Sequence, residues 1–352
     1  MSTNNKHVLS GLVLLVSTML SSPCEAQRTE TILRDGWRFS RGEHLDTIAP
    51  SMPNYDDKKW QTVQVPHDWA IYGPFDKEID KQVVAIEQNG EKEATEKTGR
   101  SGSLPWIGKG WYRTSFIVAK ECQRAILNFD AAMAEPVVYV NGEKAGEWKY
   151  GYTSFNVDVT DFVHKDGSPN TLAVSLANVE ESSRWYPGAG LIRPVTLIQT
   201  CSTAIEQWSL VANTLDIGDN WASAEFKAEA VGMKPGKKYL MAFEIKTDNS
   251  IIAKHIEPVK ENGLAETACK IQGVKHWTPE TPCLYDLTVS LFEDNNGSLG
   301  KQIDSQTKKI GFRTISYTSQ NGFQLNGVTR KFKGVCLHHD LGMIGAASNK
   351  SA

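Results

Sequence analysis

Three ionisable side chains lie together near the end of the sequence, where His338, His339 and Asp340 follow the short apolar segment 332–337. The segment is typical of a strand, with alternate residues on two faces. We expect it to deliver the three side chains to its C-terminal tip, the edge where barrel enzymes assemble catalytic groups. A carboxylate accepts hydrogen bonds from hydroxyl groups, and an imidazole can donate or accept them. The sequence therefore indicates a site for a polar ligand.

Two other interpretations of this cluster stay open. His338 and His339 are also compatible with capping or core histidines. A metal site is the weaker interpretation, since adjacent strand residues point to opposite faces and converge poorly on one ion. The same alternation predicts that His339 faces away from any ligand that His338 contacts. No metal or other cofactor is evident in the sequence.

Two earlier segments carry further candidate binding residues. Asp68 lies between Pro66 and Trp69, which would stiffen the loop and fix the carboxylate in one place. An aspartate that closes a turn after a strand is the alternative. Arg184 and Tyr186 precede a glycine-rich bend, whose glycines let the backbone turn sharply. We regard both as weaker candidates for contact with a ligand.

Composition and charge give no sign of a highly charged partner. A chain of 352 residues favours two or three domains. The formal net charge is only −3, and no long run of like charge is present. A nucleic acid or an anionic membrane is therefore not indicated as a partner, whereas a neutral ligand fits.

The first 26 residues have the order of an export signal. Lys6 and His7 precede the apolar run Val8–Leu20, and small residues lead to a predicted cleavage site after Ala26. The apolar run is short for a bilayer span, which takes about 20 residues. We predict a protein exported to the periplasm or the extracellular space, with lipid attachment at Cys24 as the less favoured alternative.

Five cysteines follow the predicted cleavage site, at irregular spacings that match no zinc motif. The odd number leaves at least one of them free unless it pairs between chains. Export permits a disulfide without requiring one. Cys269 and Cys283 fall in the same predicted domain and are the pair to test.

The rest of the chain alternates short apolar segments with turn signals, a pattern that predicts an all-β fold. Residues 27–200 favour a β-sandwich of jelly-roll type, and residues 201–313 favour an immunoglobulin-like sandwich. Asn141-Gly142 is a strong hairpin signal. The polar segment 72–109 is too long for an ordinary connection, so it is either the rim of a pocket or a solvated insertion.

Several motifs occur in an order that identifies a family. They are Val65–Trp69, Gly110–Arg113, Ser183–Val195, Trp277–Pro282 and the stretch from Gly311 to Asn349. With these motifs the sequence resembles glycoside hydrolase family two, the family of β-galactosidases, β-glucuronidases and β-mannosidases. The long loop and the ending Gly334–Gly342 are most similar to exported β-galactosidases of the Bacteroides type.

The resemblance implies a jelly-roll sugar-binding domain, an immunoglobulin-like domain and, from residue 314 to 352, the first strand of a truncated TIM barrel. It also implies retaining hydrolysis by two glutamates, an acid/base and a nucleophile, whose carboxyl groups lie about 5 to 5.5 Å apart. In this family both glutamates belong to later barrel strands. We therefore expect no catalytic residue within residues 1–352 and no activity from this chain alone.

By resemblance, His338 and Asp340 contact the terminal sugar, and Asp68 reaches the same pocket from the jelly roll. Arg184 and Tyr186 are less certain, because Ser182-Ser183 stands where some relatives carry an acidic sugar contact. The competing hypothesis is a non-catalytic carbohydrate-binding or adhesion protein of two β-sandwiches, with Trp106 and Trp185 as stacking platforms. The sequence leaves the oligomeric state open.

Overall fold

A computed structural model describes residues 28–44, 46–74, 108–179, 186–248, 250–337, 339 and 341–352. The predicted signal peptide and most of the long polar segment lie outside these residues. The described chain is built from antiparallel strands with two short 3₁₀ turns, Ala70–Tyr72 and Gly342–Ile344. The prediction of an all-β fold is confirmed. No helix among the described residues is long and apolar enough to cross a membrane.

The first sandwich consists of two sheets that enclose one core. Its strands are β1 (Thr29–Ile32), β2 (Trp37–Arg41), β3 (Gln61–Val63), β4 (Gly108–Ile117), β5 (Arg124–Phe129), β6 (Val137–Val140), β7 (Glu143–Glu147), β8 (Phe155–Asp158), β9 (Pro169–Asn178) and β10 (Val195–Thr200). One sheet has the order β1-β10-β5-β8 and the other β3-β2-β4-β9-β6-β7. Side chains from both sheets, among them Tyr112 and Phe129, form a single buried cluster. Burial of this apolar surface holds the two sheets together.

The second sandwich follows directly. Its strands are β11 (Ala204–Ile205), β12 (Val211–Gly218), β13 (Trp221–Val231), β14 (Tyr239–Thr247), β15 (Ser250–Pro258), β16 (Leu264–Gln272), β17 (Tyr285–Asn295) and β18 (Ser298–Ile310). One sheet centres on β13, and the other has the order β15-β14-β17-β18. Along β13 small or aromatic side chains face inward and alternate with residues such as Glu225 and Lys227, which face water. This period of two is the reason that the segment forms a half-buried strand.

A small sheet and an extended segment end the chain. Strands β19 (Ile315–Thr318), β20 (Gly322–Leu325) and β21 (Val328–Thr329) form the sheet. Residues 331–337 pair with no described strand, and Val335 and Leu337 are more than three quarters exposed. The first strand of a barrel therefore stays a prediction here, as do the domain boundaries at residues 200 and 313 and the two sandwich types.

A buried ion pair joins the start of the first sandwich to the second. The Arg28 guanidinium donates from Nε to Asp304 Oδ1 and from Nη2 to Asp304 Oδ2, both at 3.0 Å. The side chains of Arg28 and Asp304 are 7% and 1% exposed. The same carboxylate accepts the backbone N–H groups of Ile205 at 2.8 Å and Ser305 at 2.7 Å. All of its acceptor positions are therefore used.

The cysteines form no bridge in the described chain. Cys122 and Cys201 are buried, Cys269 and Cys283 are partly exposed, and Cys336 is exposed, and none of the five is in a disulfide. The pair singled out from the sequence, Cys269 and Cys283, is thus unbridged in the structure.

Candidate functional site

The loop that carries Asp68 is fixed against the glycine-rich bend. The backbone N–H of His67 donates to Leu191 O at 2.8 Å, and that of Trp69 donates to Ala189 O at 2.9 Å. These two hydrogen bonds are made by the residues on either side of Asp68 and fix the position of its backbone against the bend. The loop is therefore held in place by residues 189–191, in addition to the stiffness expected from Pro66 and Trp69.

The Asp68 carboxylate is buried and accepts four hydrogen bonds. Asp68 is only 1% exposed. Oδ1 accepts the N–H groups of Ala70 at 3.0 Å and Ala189 at 3.3 Å. Oδ2 accepts the Tyr186 hydroxyl at 2.5 Å and the Ala346 N–H at 2.9 Å. Burial raises the pKa of the Asp68 carboxyl group, and the four donors act in the opposite direction.

These contacts make Asp68 a junction of three segments that are far apart in sequence. The C-terminal segment is held there by a further bond, in which the Ser348 N–H donates to Ile192 O at 2.8 Å. Ala346 also packs into a small apolar cluster with Met133 and Ile192. A methyl group on Gly345 would lie 2.6 Å from Asp68 Oδ2, so the backbone approaches the carboxylate closely at that point. The residues that follow Asp340 are thereby anchored to the first sandwich.

The sequence analysis did not identify Tyr152 as a neighbour of His339. The His339 ring stacks on Tyr152, with centroids 5.9 Å apart, and meets Tyr186 edge-on at 6.1 Å. The Tyr152 hydroxyl donates to Pro187 O at 2.8 Å. His339 therefore lies against the first sandwich, next to the tyrosine that binds Asp68. The tyrosine-rich stretch before β8 was the available signal for Tyr152.

The structure brings together some of the predicted site residues. Asp68 and Tyr186 are in direct contact, whereas Arg184, His338 and Asp340 lie outside the described residues. Contact of any of the five with a sugar stays a prediction. Within the described ranges, no group of three or more histidine, cysteine or acidic side chains could hold a metal ion.

His67 lies behind Asp68 in a cluster of aromatic rings. Its Nδ1 is 2.7 Å from the Tyr112 hydroxyl, and its Nε2 is buried with no partner among the described residues. The ring lies near Phe39 and stacks on Tyr72. Burial, together with the nearby Arg41 guanidinium, lowers the pKa of His67 to about 4. The imidazole is therefore neutral at ordinary pH.

We expect this buried histidine to make the fold sensitive to acid. Between its ordinary pKa of 6.5 and its folded value of about 4, the unfolded chain binds a proton that the folded chain excludes. Stability should therefore fall as the pH drops through this window, by about 3 kcal/mol in total. Urea unfolding of the wild type and of His67→Gln at pH 7 and pH 4.5 measures the effect. Identical losses in both proteins would contradict it, since other acid-sensitive groups are common to the two.

Gly190 is required where the glycine-rich bend meets Tyr112. Its φ is +125°, and a methyl group there would overlap the Tyr112 hydroxyl and the His67 carbonyl oxygen. We expect Gly190→Ala to lower the free energy of unfolding by about 1 to 3 kcal/mol more than a positive-φ glycine in open space. Gly236→Ala is the control, since Gly236 has a φ of +75° and no atom near the added methyl. Equal losses by thermal unfolding would show that the close approach is unimportant.

Comparison with known proteins identifies the family. A sequence profile described as "Glycosyl hydrolases family 2" matches residues 205–313. Beta-galactosidase BoGH2A of Bacteroides ovatus is 30% identical over 343 residues, which are 94% of this chain and 37% of that protein. A protein of Formosa agariphila, provisionally named β-glucuronidase, is 32% identical over 342 residues, which are 96% of this chain and 30% of that protein.

A solved structure gives the same result. A glycosyl hydrolase family 2 member from Bacteroides cellulosilyticus DSM 14838 is 28% identical, with a TM-score of 0.75. The similarity covers 91% of this chain and 41% of that one. The chain spans about a third of the length of the curated relatives it matches. Since sequence and fold agree over most of its residues, the chain belongs to glycosyl hydrolase family 2.

Proposed function

We propose that this chain is the sugar-holding part of an exported, retaining glycoside hydrolase that removes terminal β-galactosyl residues from oligo- or polysaccharides. The observation that carries the proposal is the junction at Asp68, where the first sandwich meets the C-terminal segment. This contact brings the Asp68 loop and Tyr186 next to His339, whose neighbours in the sequence, His338 and Asp340, are the predicted sugar contacts. The 30% identity with a β-galactosidase over 94% of the chain supports the choice of sugar.

Bond cleavage in this proposal needs two carboxyl groups that we do not assign within residues 1–352. A retaining mechanism places an acid/base and a nucleophile about 5 to 5.5 Å apart on either side of the glycosidic bond. The relatives have roughly two thirds of their length outside the region that this chain matches. We therefore propose that the two glutamates belong to that other region, and that residues 27–352 bind sugar without cleaving it.

The test compares residues 27–352 with the whole gene product. We expect the shorter protein to leave p-nitrophenyl β-galactoside intact and the whole protein to hydrolyse it with retention of configuration. NMR of the released sugar determines the configuration. Faster hydrolysis of the matching β-glucuronide would shift the assignment to the activity named for the Formosa relative. Turnover of any galactoside by residues 27–352 alone would contradict the proposed division of labour.

A non-catalytic carbohydrate-binding or adhesion protein is the competing function. It predicts saturable binding of galactosides by residues 27–352 and no hydrolysis by the whole gene product. Calorimetric titration with methyl β-galactoside, set beside the hydrolysis assay, separates the two. Binding combined with hydrolysis by the whole protein favours the glycosidase.

A further inference from the structure

The segment between β7 and β8 presents two large aromatic side chains to water. Trp148 is 40% exposed and Tyr150 is 60% exposed. Single exposed apolar side chains are common on protein surfaces, so exposure alone indicates nothing. What distinguishes this pair is how the rings are supported and what they adjoin.

Trp148 is held in one orientation by the core of the first sandwich. Its indole lies parallel to Phe155 at 5.7 Å and 9°, and Phe155 lies parallel to the buried Phe129 at 4.8 Å and 2°. The indole N–H donates to Thr153 Oγ1 at 3.0 Å. The ring is thus fixed by a stack on one side and a hydrogen bond at its edge. Such preorganisation lowers the entropic cost of binding a ligand against it.

The backbone beside these rings is also fixed. Gly151 lies so close to Met133 that a side chain there would overlap its sulfur, and the Gly151 carbonyl accepts the Ala132 N–H at 3.2 Å. Met133 belongs to the same small apolar cluster as Ala346, near the Asp68 junction. The exposed rings are therefore attached to the site and are not carried on a free loop.

An unbroken series of contacts leads from Tyr150 to the buried carboxylate. Tyr150 meets Tyr152 edge-on, with centroids 5.7 Å apart. Tyr152 stacks on His339, and His339 meets Tyr186, whose hydroxyl binds Asp68. Tyr150 is therefore the outer end of this series of contacts, and Trp148 lies two residues before it in the same segment.

We propose that Trp148 and Tyr150 form a stacking subsite for a second pyranose ring of a neutral oligosaccharide, outside the position of the terminal sugar. A pyranose has an apolar face of C–H groups that packs on an aromatic ring, while its hydroxyl groups remain free to bond with water or a phenol. The Trp148 indole supplies the platform, and the Tyr150 hydroxyl supplies a donor or acceptor at its edge. The inference rests on the proposed function, because it assigns the second ring to the leaving group of the substrate.

The test measures kcat/KM of the whole enzyme on β-1,4-galactotriose and on methyl β-galactoside. We expect Trp148→Ala and Tyr150→Ala each to lower kcat/KM for the trisaccharide roughly tenfold. The value for methyl β-galactoside, which has no second ring, should stay within about twofold of the wild type. Trp148→Phe keeps a stacking face and should recover most of the loss. Trp208→Ala, at a tryptophan that is 54% exposed in the second sandwich, is the control and should change neither value.

Two results would overturn the subsite. One is an unchanged kcat/KM for both substrates in the Trp148→Ala/Tyr150→Ala double variant. The other is an equal loss on both substrates, which would indicate a general disturbance of the site. Should the wild type hydrolyse no galactoside, the proposed function fails separately. The subsite is then judged by fluorescence titration of residues 27–352 with galactotriose: binding that disappears in the double variant supports it, and unchanged or absent binding refutes it.

Discussion

Replacing Asp68 with alanine is expected to lower the free energy of unfolding by about 3 to 5 kcal/mol. The change leaves the Tyr186 hydroxyl and the N–H groups of Ala70, Ala189 and Ala346 without their common acceptor in a buried place. Each unsatisfied buried donor carries a penalty of its own. Urea unfolding measures the loss, and faster amide exchange at Ala346 would show that the C-terminal segment has been released.

Two further variants test whether the loss of stability comes from the buried carboxylate. Asp68→Asn keeps one acceptor but presents an amide N–H₂ to donors, so we expect an intermediate loss of about 1 to 3 kcal/mol. Asp161→Ala removes an exposed carboxylate from the same sandwich and should change stability by less than about 0.5 kcal/mol. If Asp68→Ala were as stable as Asp161→Ala, the carboxylate would not hold the three segments together.

Replacing Asp304 with alanine is expected to produce a loss of similar size, about 3 to 5 kcal/mol. It removes both bonds from Arg28 to Asp304 and the acceptor for Ile205 and Ser305. The buried guanidinium keeps only the more distant and exposed Glu30 carboxylate, 3.8 Å from Nη1, as a counter-ion. The matched control is Asp286→Ala, whose ion pair with Lys309 at 2.8 Å is largely exposed to water. Exposed pairs contribute little, so the control should lose less than about 1 kcal/mol.

A double substitution separates the ion pair from its burial. Arg28→Met combined with Asp304→Leu removes both charges, and we expect it to be more stable than Asp304→Ala. Thermal unfolding of the wild type, Arg28→Met, Asp304→Leu and the double variant gives the coupling energy of the pair. A coupling energy near zero would mean that the two side chains do not depend on each other.

Local patterns predicted much of the described secondary structure. The hairpin signal Asn141-Gly142 is confirmed, since it connects β6 to β7 with φ angles of 51° and 92°. A two-residue turn of this kind needs positive φ at both positions, which Asn and Gly adopt most readily. Strand β13 is a second example. Small or aromatic residues alternate with charged or polar ones in its sequence, and the same residues alternate between the core and water in the structure. Both features depend only on residues that are neighbours in the sequence.

The contacts that build the candidate site were not predictable in this way. The sequence allowed two interpretations of Asp68, a sugar contact or a turn. Neither predicted its hydrogen bond with Ala346, which is 278 positions away. That His339 faces away from a ligand stays a prediction, and its packing on Tyr152, 187 positions away, was not expected. Pairings at such separations depend on how the sandwiches and the C-terminal segment come together. A single sequence carries no local signal for that arrangement.

The separation between Asp68 and its last hydrogen-bond donor also constrains how the protein is made. A ribosome adding about 5 to 20 residues per second needs roughly 15 to 55 s to synthesise the 278 positions from Asp68 to Ala346. Throughout that interval the Asp68 carboxylate lacks the Ala346 N–H donor. Arg28 lacks its partner Asp304 for almost as long, since those two residues are 276 positions apart. The first sandwich therefore reaches its final form only after Ala346 has been synthesised, because until then the Asp68 carboxylate lacks one of its four donors.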